Sequence, residues 1–128
     1  NTATTAGNAF LVMGDSVVVS LGARFTNNIV IKGDYGAFGS GKGEGTGALS
    51  FFMPDAVFAN NAIVGALAGS YPTGNHFPAT VAAVGFKDAA AGDYSLLASS
   101  SYKGKGSDGK DLGADMAGLT AAIAGVVK

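Results

Sequence analysis

Two stretches decide how this chain folds: "RFTNNIVI" at residues 24–31 and "VFANNAIV" at residues 57–64. Each carries an aromatic (Phe25, Phe58), an asparagine pair ending at Asn28 or Asn61, and then an aliphatic run, the copies being offset by 33 residues. Self-similarity at a period of this order is the signature of stacked structural repeats. Asparagine tolerates the left-handed backbone of a corner, and its side-chain amide can bond the corners above and below. The β-branched residues that follow would then point into a shared core, with Val30 and Val64, or their immediate neighbours, facing inward.

Outward from the repeat, short apolar runs alternate with glycine and asparagine punctuation, the pattern of many brief strands. Strands are expected at 9–13, 16–21, 25–31, 48–53, 56–64, 79–86 and 94–97. Only the end reads as a helix. "GADMAGLTAAIAGVVK", residues 113–128, sets Met116, Leu119, Ile123 and Val126 or Val127 along one side, and Asp115 suits the N-cap. A series of strands closed by one short helix predicts an all-β body with a terminal cap.

A chain of 128 residues makes one domain with enough length for a real core. At 48% apolar and 13% charged residues it is too hydrophobic to be disordered. A formal net charge of −1, a single arginine (Arg24) and scattered lysines leave no electrostatic footprint for nucleic acid or an anionic membrane. No apolar run approaches the roughly 18 residues of a membrane helix. There is no recognisable signal peptide, and a chain starting at Asn1 suggests a processed or excised piece. With no cysteine, disulfides and thiolate metal sites are excluded. The low charge and abundance of small polar residues point to a secreted or cell-surface bacterial protein.

The segment "GDYSLLASSSYKGKGSDGKDLGAD", residues 92–115, carries a more specific pattern. It resembles the closing coil of secreted bacterial proteins of the pectate-lyase-like superfamily. The residues that carry the likeness are Asp93, Tyr94 and Leu96, then Ser100 and Gly106, then Asp108, Gly109, Asp111, Gly113, Ala114 and Asp115. Ser101 stands where that family usually has proline, and the likeness spans roughly residues 25–120. It implies a right-handed parallel β-helix (solenoid): one domain over 1–128, with coils over 25–114 and a terminal helix over 115–128. Residues 1–24 match nothing in that family and are expected to supply strands that can exchange with a neighbour. Members that cleave acidic polysaccharide use calcium-binding acids and a basic residue on central coils, and none of those positions carries over here.

"YGAFGSGKGEGTGAL", residues 35–49, imitates a phosphate-binding loop. Such loops need backbone N–H groups around the phosphates, a lysine, a hydroxyl for magnesium, and a helix that starts at once. Lys42 is present, but Gly43 occupies the hydroxyl position. A helix beginning through Gly43, Gly45 and Gly47 would lose about 1 kcal/mol at each against alanine. The expectation is a solvent-facing glycine excursion over 36–47 that binds no nucleotide.

Other chemical candidates are few. His76, the sole histidine, lies in a loop bracketed by prolines with no nearby acid to orient it. Glu44 sits among glycines that cannot hold it to catalytic precision. Asp108, Asp111 and Asp115 offer hard oxygen donors to calcium, although Asx turns and a helix cap explain the same residues. Ser99, Ser100 and Ser101 have no partner histidine and aspartate in a recognisable order. No enzyme activity and no cofactor are expected.

Two functions remain. The first is a non-enzymatic extracellular structural protein that assembles with itself, as a filament or another homo-oligomer, by strand addition or end-to-end stacking. Val17, Val18 and Val19, a run of high β-propensity with nothing polar to deter pairing, together with Phe10 and Leu11, are its candidate contacts. The alternative is a module that contacts polysaccharide, with Tyr35, Tyr71 and Tyr102 as stacking platforms and Phe38 and Phe77 beside them. Neither involves nucleic acid or membrane insertion.

Overall fold

The computed structural model describes residues 1–4, 7–12 and 19–126. In chain order its strands are β1 (Thr2–Ala3), β2 (Phe10–Leu11), β3 (Arg24–Thr26), β4 (Ile29–Ile31), β5 (Ala37–Gly39) and β6 (Gly43–Glu44). Helix α1 (Thr46–Phe52) follows, then β7 (Val57–Ala59), β8 (Ala62–Val64), β9 (Phe86–Asp88), β10 (Asp93–Leu96) and helix α2 (Met116–Ala122). Single 3-10 turns lie at Ala68–Ser70 and Ala82–Val84.

Each repeat copy forms two strands rather than one, because the first asparagine of the pair turns the chain. Asn27 has φ 62° and Asn60 has φ 54°, the left-handed conformation that asparagine enters more readily than other residues with a side chain. The two copies then pair in parallel and in register. Phe25 stands beside Phe58 in β3–β7, and Ile29, Val30 and Ile31 stand beside Ala62, Ile63 and Val64 in β4–β8.

The pairing does not continue into a solenoid. The strands form four small sheets, ordered β1-β4-β8, β2-β5-β6, β3-β7 and β10-β9. β5–β6 and β9–β10 are antiparallel, which a parallel coil does not allow. The expected β-helix is therefore replaced by a small mixed α/β domain. Two features overturn it. The glycine-rich segment turns back on itself and enters a helix where a coil would add a strand. The central β1-β4-β8 sheet is also buried on both faces, whereas a solenoid has one interior. Val30 and Ile63 face a core with Val12, Leu49, Phe52 and Phe58, while Ile29, Ala62 and Val64 face another with Val84, Leu96 and Leu112. Val30 and Val64 are both buried, but on opposite sides. Strands buried on both faces read as continuous apolar runs, so alternation could not reveal the second core.

Residues 46–52, expected mostly as strand, are helical. Ala48, Leu49 and Phe52 are buried on α1, and tertiary packing of this kind outweighs weak propensity. Gly45 sits at the N-cap with φ 66° and no side-chain cap, and a Cβ there would collide with the Ser70 carbonyl. Gly36, Ala37, Gly39 and Gly45 are buried and only 40–43 and 46–47 are exposed, so the solvent-facing excursion expected over 36–47 is also corrected. Residues 79–85 form bends and a 3-10 turn, and of the strand expected over 79–86 only Phe86 is in one, as the start of β9.

At the start of the chain, β1 lies parallel to β4 and β2 parallel to β5. The described part of residues 1–24 thus pairs with its own chain. At the other end Asp115 caps α2, accepting from the Gly118 N–H at 2.8 Å, as the sequence predicts. The helix is shorter than 115–128 and buries none of its residues. It lies against β10.

Candidate functional site

The two repeat corners build a hydrogen-bonded line of amides. Asn28 and Asn61 are the buried polar residues of the described chain, Asn61 being fully enclosed. The Oδ1 of Asn61 accepts from the Asn28 backbone N–H at 3.2 Å and from Asn28 Nδ2 at 2.8 Å. Its Nδ2 donates to the Phe25 carbonyl at 2.7 Å and to Asn75 Oδ1 at 3.0 Å. Asn75 Oδ1 also accepts from the Asn61 backbone N–H, at 2.9 Å, and its Nδ2 donates to the carbonyls of Phe58 and Pro72. At the opposite end Asn1 Nδ2 donates to Asn28 Oδ1 at 3.4 Å.

This line has a direction. A backbone N–H can only face an amide oxygen and a backbone carbonyl can only face an amide nitrogen. Contacts of both kinds orient Asn61 and Asn75, and Asn28 and Asn1 follow from them. Asn75 and Asn1 lie outside the repeat, and nothing in their local sequence marks them as members.

Among the described residues, three of the sheets have a strand from the start of the chain at an unpaired edge. β1, β2 and β3 each stand at an edge of their sheet, and all three come from the first quarter of the chain. Arg24 is the only charged residue on them. Leu11 on β2 is 58% exposed, and Val19 and Leu21, which precede β3 in the chain, are 38% and 71% exposed. The β8 side is covered instead: Ala62 bridges His76, Ile63 N–H donates to the His76 carbonyl, and Gly65 N–H donates to the Pro78 carbonyl.

Of the residues expected to mediate assembly, Leu11 and Val19 are exposed. Phe10 is only half-buried but belongs to a ring cluster, 5.1 Å from Phe25 and 5.9 Å from Phe58. Val17 and Val18 lie outside the described residues. Leu21, which sequence reasoning did not single out, joins the exposed group.

The three candidate platforms separate. Tyr71 is buried, and its hydroxyl accepts from the Ala37 N–H at 3.1 Å; burial raises its pKa. It is a core residue, with Phe77 at 5.9 Å beside it. Tyr102 is half-buried against the second core and meets His76 edge-on at 5.6 Å, and burial raises its pKa as well. Tyr35 alone is exposed, with its ring 4.9 Å from that of Phe38.

Asp108, Asp111 and Asp115 do line one cleft of about 590 Å3, together with Lys87, Lys103 and Lys110. Each carboxylate there has an internal partner. Asp108 accepts from the Lys110 N–H, forming an Asx turn. Asp111 is held 2.7 Å from Lys103 Nζ and accepts from the Gly104 N–H; the Lys103 bond is the main cause of its lowered pKa. Asp115 caps α2, with Lys110 at 3.9 Å. No group of three metal-ligating side chains occurs among the described residues.

Lys42 Nζ lies 3.8 Å above the Phe51 ring, while the N–H groups of Lys42 and Gly45 bond the Gly39 and Ala37 carbonyls. Glu44 pairs with Lys32 at 3.1 Å. Ser100 Oγ donates to the Val84 carbonyl at 2.6 Å, and Ser99 and Ser101 are exposed. Among the described residues no helix is long and apolar enough to cross a membrane. The chain matches no protein-family model, no curated protein and no solved structure.

Proposed function

We propose that this chain is a non-catalytic structural domain that associates with copies of itself along the open edges of β1, β2 and β3. The observation that carries the reading is their arrangement: three edge strands with one charge among them. An unprotected edge presents N–H and C=O groups that pair with any available strand, and strand addition is a common mode of recognition. Exposed Leu11, Val19 and Leu21 add apolar area beside it. An extracellular or cell-surface setting belongs to the same reading, supported by low charge and an abundance of small polar residues.

The test is mass against concentration by sedimentation. Association should rise with concentration, and Leu11→Lys should weaken it without lowering the unfolding midpoint, since Leu11 is exposed. A monomer at every concentration would end the reading.

A second reading, contact with polysaccharide, is favoured at one place, the exposed Tyr35 beside Phe38. Tyr35→Ala should then abolish retention on a polysaccharide affinity gel. Retention equal to that of the parent chain would remove it.

A further inference from the structure

β3 differs from the other two open edges in what stands beside it. We infer that the β3 edge is a recognition strand for an extended peptide of another protein. The peptide adds parallel to β3, with an acidic residue opposite Arg24 and an apolar one opposite Phe25.

The first observation is a donor without an acceptor. Asn61 Nδ2 makes two bonds, to Asn75 Oδ1 and to the Phe25 carbonyl, and Asn75 Nδ2 likewise reaches the Phe58 carbonyl. Asn28 follows Phe25 at the same spacing as Asn61 follows Phe58, yet it makes only the first kind of bond, to Asn61 Oδ1. A primary amide has two donor protons, and among the described residues the second one here has no partner. Asn28 is 8% exposed, and an unused buried donor is unfavourable. By the geometry of Asn61, the missing acceptor is the carbonyl of a residue opposite Phe25, on the side away from β7. That side is the open edge of β3, whose sheet holds β7 and no further strand among the described residues. Asn1, opposite Asn28, does not obstruct it. Asn61 has Asn28 in the same relation and still reaches its carbonyl.

The second observation is charge. Arg24, the sole arginine of the chain, is exposed on β3 and has no ion pair among the described residues. Asp55, which precedes β7, accepts from the Gly22 N–H instead, at 3.0 Å. Phe25 turns inward, 5.1 Å from Phe10, so Arg24 stands on the alternate, outer face. A residue opposite it on an added strand shares that face, where opposite charges attract. β7 already pairs with β3 in parallel, and the peptide continues that pairing on the other side. Main-chain bonds to the edge supply affinity, and the two side-chain positions supply selectivity. β1 and β2 carry no charge, so this selectivity belongs to β3 among the three edges.

The experiment is fluorescence anisotropy of a labelled, capped peptide STEVTS and its charge-reversed counterpart STKVTS, titrated with the full chain and with Arg24→Glu. The parent should bind STEVTS about fivefold to tenfold more tightly than STKVTS, and Arg24→Glu should invert the order. Arg24 is exposed, so that variant should unfold at the parent's midpoint. With STEVTS at saturation, hydrogen exchange should slow at 24–26 and not at 10–11. One Asn28 Nδ2 proton signal should shift while those of Asn61 stay. Equal binding of the two peptides, protection at 10–11 in place of 24–26, or no binding would overturn the inference. So would protection of 24–26 that rises with protein concentration in the absence of peptide, since a second copy would then fill the edge. Self-association through β1 and β2 uses other sheets, so failure of this inference leaves it standing.

Discussion

Asn61 shows how much one side chain can hold. Its amide satisfies a backbone N–H, a backbone carbonyl and two other asparagines inside a fully buried site. Asn61→Ala leaves those groups without partners, at about 1–3 kcal/mol for each that water cannot reach. The expected loss is about 2–4 kcal/mol in a denaturant titration, with Asn1→Ala close to the parent chain because Asn1 is exposed. Asn60 tests the backbone instead. Its φ of 54° suits glycine, so Asn60→Gly should stay within about 1 kcal/mol. Asn60→Val should cost about 1–2 kcal/mol or more through a clash at Cβ. These corners were legible because the FxNN repeat placed Asn28 and Asn61 in equivalent positions. Asn75, in a proline-flanked loop, joins them only through tertiary approach.

The elements divide by how local their causes are. β10 and the Asp115 cap depend on neighbouring residues and were read from sequence. α1 was not, since three glycines argue against a helix and only its packing argues for one. Phe52→Ala should cost about 3–5 kcal/mol, and residues 46–52 should lose helicity with it. Gly39→Ala tests the same contact from the other side: a Cβ there would meet the Phe52 ring at 2.6 Å. α2 is the opposite case. Leu119 and Ile123 are half-exposed or more, so Leu119→Ser should change stability by no more than about 0.5 kcal/mol. The sequence pattern identified an apolar side of that helix, but periodicity alone cannot say whether anything lies against it.

For the whole molecule, the repeat foretold register but not architecture. Two copies suffice to align β3 with β7 and β4 with β8, yet a solenoid requires each turn to follow the last. Here hairpins and α1 interrupt the succession. The surface electrostatics are mild. Asp111 and Asp93 have carboxyl pKa values below the usual range, Asp111 through Lys103 and Asp93 through Ser95. A depressed folded pKa contributes stability above the unfolded value near 3.9 and loses it as pH falls through the folded one. The thermal midpoint should therefore drop on acidification below pH of about 4. The exposed Lys103–Asp111 pair should contribute at most about 1 kcal/mol of this, and Lys103→Met should reduce the drop.

The Asn1 amino group reaches the Gly113 carbonyl, and the Ala114 N–H reaches Thr2 Oγ1, each across 112 positions. Contacts this distant are slow to find, because the intervening chain must be ordered before they yield any return. During synthesis the first strand has no clasp until residue 114 has left the ribosome. Until then a nascent chain carries its apolar repeat with that corner still open. Refolding should show the same order as a late kinetic phase, which Thr2→Val would slow.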